Sequence, residues 1–134
     1  MPETAFLAAS TLSGYISHVP YQQFIAARVD EDPIEEGQVV RILFGPQGFY
    51  CDLGQLRPCG IARDSGTHGE HITVVTGGLA WARAGDSSLG PQAVRSTDFA
   101  VVSAGDPVDL QTYVGDAVYY DANTQRKLVH IRAV

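Results

Sequence analysis

Two short stretches carry the side chains best suited to chemistry. Asp64-Ser65-Gly66-Thr67 sets a carboxylate on a tight turn. Two such carboxylates sharing one proton can do acid–base work, provided the site is apolar and tightly built. Here Arg63 directly precedes the acid and no convincing partner motif follows, so the stretch reads as a surface turn. Just beyond, His68, Glu70 and His71 offer zinc-type donors. Three ligands so close on one loop do not set a tetrahedron without a fourth, and exposed loop histidines are the simpler reading. The run from Asp30 to Glu36 holds five acids in seven positions, and hard cations take carboxylate oxygens. Pro33 and Ile34 interrupt the alternating ligand spacing of a calcium loop, and no Gly marks its central turn, so a solvated acidic loop is expected. Neither His18 nor His130 has a nucleophile motif around it. No G-x-S-x-G, P-loop or dinucleotide fingerprint occurs. The expectation is a protein without catalytic, cofactor-binding or metal residues.

Two other function classes have some support in the residues. Asp64-Ser65-Gly66 resembles the Asp-Thr/Ser-Gly turn of aspartic proteases. Gly69-Glu70 before His71-Ile72-Thr73-Val74-Val75 resembles the strand entry of trimeric dUTP-hydrolysing enzymes, although the Gly60-Ile61 that should lead to a catalytic Asp runs into Ala62-Arg63. A small trimeric β-fold enzyme of the nucleotide-hydrolase type is therefore one alternative. A ligand- or carbohydrate-binding module is another, with Trp81, Tyr113, Tyr119 and Tyr120 as a stacking face. Alternation puts Tyr119 and Tyr120 on opposite faces of a strand, which assigns at least one of them to packing.

The elements that would position these residues are β-strands. Among 134 residues there are 14 Gly and 7 Pro but one Lys and one Met, a composition that favours turns and short strands. Alternating runs at Val39 to Phe44, Phe49 to Leu53, Ile72 to Thr76, Leu79 to Ala84, Phe99 to Ser103, Val108 to Tyr113, Ala117 to Tyr120 and Lys127 to Val134 are bounded by Gly, Pro, Asp and Asn. Leu56 to Ala62 adds an edge strand broken at Pro58. Period two with this punctuation is the mark of an all-β sandwich or barrel. Gly77-Gly78 reads as a two-residue hairpin turn. Alternation nominates Val40, Ile42, Ile72, Val74, Leu79, Trp81, Val118 and Ile131 as core.

Residues 1–25 differ from the rest. Pro2 to Ser10 suits a short helix, whereas Tyr15, Ile16, Val19, Tyr21, Phe24 and Ile25 are apolar without a period. Such a segment is either an extended arm that packs on another surface or a cover for one end of its own barrel. The chain therefore divides into an N-terminal arm, 1–25, and a single β-barrel/sandwich domain, 26–134. A net charge of −6 argues against a nucleic-acid surface. No apolar run approaches the roughly 20 residues of a membrane span, and no secretory signal is expected. Cys51 and Cys59 lie close enough to face each other across a hairpin, or to remain buried thiols in a reducing compartment.

Two segments carry a further likeness. One runs from Gly60-Ile61-Ala62-Arg63-Asp64 through Gly69-Glu70 and Ile72 to Gly78, then Leu79-Ala80-Trp81-Ala82. The other is Gly115-Asp116-Ala117-Val118-Tyr119-Tyr120-Asp121-Ala122 with Lys127-Leu128. In these the chain resembles the head-decoration, or cement, proteins of tailed bacteriophages. The resemblance implies a virion structural protein without catalysis, made in the host cytoplasm and bound to the outer surface of the capsid. Its partner would be the major capsid protein, across whose capsomer boundaries it would add contacts. It also implies a homo-oligomer, a trimer or alternatively a dimer. Tyr15, Ile16, Tyr21 and Phe24 are the expected capsid-binding anchors, since aromatic residues so often dominate interfaces.

Overall fold

The computed structural model describes residues 22–58 and 60–132, and among them there is no helix. Nine strands follow one another: β1 (Gln23–Val29), β2 (Val39–Gly45), β3 (Gly48–Asp52), β4 (Gly60–Ala62), β5 (His71–Arg83), β6 (Gly90–Val94), β7 (Val101–Ser103), β8 (Tyr113–Asp121) and β9 (Arg126–Ile131). Their lateral order is β1-β3-β2-β4-β5-β9-β8-β6-β7, and β1 also pairs with β5. That extra pairing closes the first five strands into a barrel. The β1–β3 contact is parallel and short, Arg28 opposite Tyr50 and Val29 opposite Cys51. The remaining strands extend from β5 as a second sheet, whose far edge curls back so that Val101 bridges Ala84.

Alternation along the shared strands feeds two cores. Val40, Ala62, Ile72 and Val74 point into the barrel with Ala27, Val29, Ile34 and Cys51. Their neighbours Val39, Ile61 and Val75 point the other way, onto Ala80, Ala82, Val94, Val101, Val114, Ala117, Val129 and Ile131 of the second sheet. A strand whose successive side chains face opposite sides can serve two cores only when both sides are covered. β2, β4 and β5 meet that condition.

Gly77-Gly78 is not a hairpin turn. β5 runs through it as one strand of 13 residues, with Gly78 at a φ of +82°. Before the glycines the odd residue Val75 faces the second core; after them the even residues Ala80 and Ala82 do. The left-handed glycine thus shifts the alternation by one position where the strand leaves the barrel. This corrects two core assignments, because Leu79 and Trp81 lie on the opposite face and are only partly buried. Val118 is also overturned. The register of β8 on β9 jumps between Ala117 and Tyr119, and the unpaired Val118 of that bulge is 55% exposed. Ile42 is partly buried, whereas Val40, Ile72, Val74 and Ile131 are buried as expected.

Two strands carry weak sequence signals. In β1 the inward set is Ile25, Ala27 and Val29, and Ala26-Ala27 blurs the alternation. It begins at Gln23, so residues 23–25 run in the sheet. β6 contains Pro91 and Gln92, neither a strand former. Conversely, Val108 to Thr112 forms turns, and Gly115-Asp116 lies inside β8, where a Cβ on Gly115 would strike the His130 carbonyl of β9. The segment Pro2 to Ser10, suited to a helix, and Cys59 lie outside the described residues; Cys51 is a free, buried thiol.

Ile72→Ala and Ile131→Ala should each cost about 2–5 kcal/mol in urea unfolding, whereas Val118→Ala should cost under about 0.5 kcal/mol, as a surface change does. Burial, with Asp52 and Asp30 adding, pushes the Cys51 thiol up to about 11. In a Cys59→Ser background, a thiol-specific reagent at pH 8 should therefore label Cys51 only as fast as the protein unfolds.

Candidate functional site

Of the four expected anchors, Tyr15, Ile16 and Tyr21 lie outside the described residues. Phe24 stands on the first turn of the pleat in β1, 55% exposed, with the Arg63 guanidinium 6.0 Å from its ring centre. Because β1 and β3 run parallel, the start of β1 lies at the same end of the barrel as the β2–β3 hairpin. That hairpin carries a second aromatic feature. Phe44 and Phe49 are cross-strand partners flanking the Gly45-Pro46-Gln47-Gly48 turn, with ring centres 5.3 Å apart edge to face. By alternation they continue the inward faces of Val40-Ile42 and of Cys51, beyond the point where the barrel closes. Phe44 is 78% exposed. The sequence signal was present, an aromatic on each side of a tight turn, but a strand-end aromatic is as often core.

The residues with chemical promise are occupied locally. Asp64 Oδ2 accepts from the Thr73 N–H at 2.9 Å and Ser65 Oγ accepts from the Glu36 N–H at 2.9 Å. Gly66 bridges Ile34. The Asp-Ser-Gly stretch is thus a turn that fastens the β1–β2 connection. His68 Nδ1 bonds to the Asp30 carbonyl. Glu70 takes the Thr67 N–H at 2.6 Å and the Thr67 hydroxyl at 2.9 Å, and these bonds lower its pKa. Among the described residues no group of three His, Cys, Asp or Glu side chains is placed to hold a metal ion.

The acidic stretch has a structural task in its second half. Glu35 pairs with Arg83 at 2.9 Å and Glu36 with Arg126 at 2.8 Å. The Glu36 carbonyl also accepts from Arg83 Nε at 3.0 Å and Arg126 Nη1 at 3.1 Å. Ile34, between the acids, is buried in the barrel. The loop therefore ties barrel to second sheet, while Glu31, Asp32 and Pro33 ahead of Ile34 are exposed.

Lys127, the chain's single lysine, has no exposed surface. It pairs with Ala82 on β5, on the face that also carries Val129. Its Nζ donates to Asp86 Oδ1 at 2.5 Å, Gln92 Oε1 at 2.6 Å and Ser88 Oγ at 3.2 Å. Gln92, equally buried, turns its amide N–H groups to the Ser88 and Gly90 carbonyls at 3.3 and 3.2 Å. Partial burial pushes the Asp86 carboxyl up, but Lys127, the Ser103 N–H and Ser88 outweigh it and hold the carboxyl well below the usual range. Its lowered pKa means the pair's contribution is present above the ordinary carboxylate pKa of 3.8 and is lost as acid protonates Asp86. The polar cluster fixes the loop after β5.

No family model and no curated protein matches the chain. Among solved structures the N base of the head fiber gp8.5 of bacteriophage phi29 does, with a TM-score of 0.62. The fold is similar to that of a phage head fiber base. The alignment covers 84% of this chain and 95% of that one at 17% identity, so the likeness is one of fold.

Asp86→Ala should cost about 3–5 kcal/mol, because it strands a fully buried ammonium. Lys127→Met should cost clearly less, since the carboxylate it leaves is 39% exposed to water. Urea unfolding of the two variants side by side gives the order.

Proposed function

We propose that this protein is a phage virion structural protein that attaches to the outer surface of the assembled head and strengthens contacts between capsomers. The observation that carries the reading is the shared architecture: almost the whole of a phage head fiber base, 95% of that chain, aligns on this fold. The resemblance of Gly60 to Ala82 and Gly115 to Leu128 to head-decoration proteins points the same way. The local geometry is compatible with a docking protein. Asp64, Ser65 and Glu70, the residues an enzyme reading would need, are committed to turns.

On this reading the major capsid protein is the partner, and residues 1–25 supply much of the contact, with Tyr15, Ile16, Tyr21 and Phe24 as anchors. Phe24 stands exposed where that segment joins β1, at the end of the barrel where Phe44 and Phe49 are also exposed. Aromatic anchors bring large contact area at low entropic cost. A homotrimer on a threefold of the shell is the proposed assembly, with a dimer on a twofold as the alternative, because a protein on a symmetric lattice tends to share its symmetry.

Deleting residues 2–20 should leave thermal unfolding within a few degrees of the intact protein and abolish binding to undecorated capsids. Full-strength binding by the deleted protein would rule the segment out as the anchor. Sedimentation velocity on the intact protein, free and on the shell, should show the trimer; monomer in both states removes the assembly.

A further inference from the structure

Lys127 brings an amine into a closed interior beside two carbonyl groups with which an amine can react. Its Nζ lies 2.5 Å from Asp86 Oδ1 and 2.6 Å from Gln92 Oε1. The Gln92 amide carbon is one C=O length beyond that oxygen, so it stands within about 4 Å of the amine. Atoms poised to react sit about 3–3.5 Å apart, a difference that a small change in the Lys127 side-chain torsions closes. Gln92 has no exposed surface. Its N–H groups are engaged by the Ser88 and Gly90 carbonyls, which turns the carbonyl end of the amide to the lysine.

The two neighbours differ in what they can do. The Asp86 carboxyl is held ionised, and a carboxylate resists attack by an amine. The neutral Gln92 carboxamide carries no such charge, and the Nζ–H bond to its oxygen polarises the carbonyl. Asp86 is placed instead to carry protons between the two nitrogens. Burial supplies the driving force, because an ammonium without exposed surface is costly even when paired. Converting it to an amide removes that charge from the interior. Asp86 is then left with the Ser88 N–H at 3.0 Å, the Ser88 hydroxyl at 2.7 Å and the Ser103 N–H at 3.0 Å. Its side chain is also 39% exposed, so loss of the ammonium strands no buried charge.

We propose that Lys127 and Gln92 join through an intramolecular amide bond, which fastens β9 to β6 across the intervening β8. Asp86 takes a proton from the Lys127 ammonium, and the freed lone pair forms a bond from Nζ to the Gln92 carbonyl carbon. Asp86 passes its proton to Nε2 and takes a second one from Nζ. The bond from carbon to Nε2 breaks with its electron pair on nitrogen, and ammonia leaves, collecting the last proton. An ammonium and a primary carboxamide become a secondary amide and a free ammonium ion, so no oxidant, cofactor or water is consumed. The bond closes a loop between residues 35 positions apart. It stands or falls independently of the attachment reading. Asp86→Ala and Lys127→Met both lack it, so their order in urea is unchanged.

The test is the intact mass of the purified, folded protein, held at neutral pH until the mass is constant. Wild type should weigh less than its sequence by one ammonia, whereas Lys127→Met, Gln92→Leu and Asp86→Asn should each have their full sequence mass. Trypsin should release residues 84–95 joined to residues 127–132. Lys127 is the chain's single lysine, so an amine reagent applied to the unfolded wild type should find no ε-amino group. Full sequence mass in wild type, or labelled Lys127 after unfolding, overturns the bond. Loss of one water in place of ammonia assigns the link to Asp86 and overturns Gln92 as the partner. Loss of ammonia that persists in Lys127→Met comes from elsewhere in the chain and overturns the site.

Discussion

Strand β5 has to satisfy two cores at once, and the remainder of the molecule is arranged by how it does so. Over its first half it closes the barrel between β1 and β4; over its second half it carries β9 and the sheet beyond. A regular strand spanning both would present one residue parity to the same side throughout. The left-handed Gly78 shifts that parity, so that Val75 before it and Ala80 and Ala82 after it line the same apolar interior. Ala80 and Ala82 pack there with Ile61, Val75 and Val129. The parity shift turns residue 81 away from the buried face, and the partly buried Trp81 ring meets Tyr119 edge to face, ring centres 6.1 Å apart.

Packing alone does not hold the two halves in register. The joint is reinforced by charged groups whose partners come from distant parts of the chain. Glu35 and Glu36 in the β1–β2 connection meet Arg83 at the end of β5 and Arg126 at the start of β9. Exposed ion pairs contribute little singly, but these share the Glu36 carbonyl and a bidentate pattern of donors. Lys127 acts at a different depth. A buried ammonium is tolerated only with its protons fully used, and Asp86, Gln92 and Ser88 use them. The outcome is a loop after β5 held at a defined place, which in turn fixes where β6 begins.

An exposed aromatic surface follows from where the barrel stops. The β2–β3 hairpin reaches past the closed part of the barrel, so the face that supplies core residues Val40 and Cys51 ends in an exposed Phe44–Phe49 pair. Phe24 lies at the same end. The barrel thus presents apolar side chains at the end where β1 begins.

Much was legible in the sequence. Period-two runs and their Gly, Pro and Asn boundaries specify strands because the pleat alone puts alternate residues on opposite faces, and so the all-β class, the β2–β3 hairpin and the burial of Val40, Ile72, Val74 and Ile131 could be read locally. The turn chemistry of Asp64-Ser65-Gly66 was legible for the same reason. What the sequence could not decide was anything that depends on which strand lies beside which. Gly77-Gly78 has the same local preference for a positive φ whether it reverses the chain or only shifts its parity. Val118 became exposed through its register on β9, and a lysine became core because residues 41, 39 and 35 positions away converge on it. Those outcomes come from long-range pairing, and tertiary structure alone selects it: local backbone preferences are satisfied equally by either alternative, and only burial of both apolar faces distinguishes them.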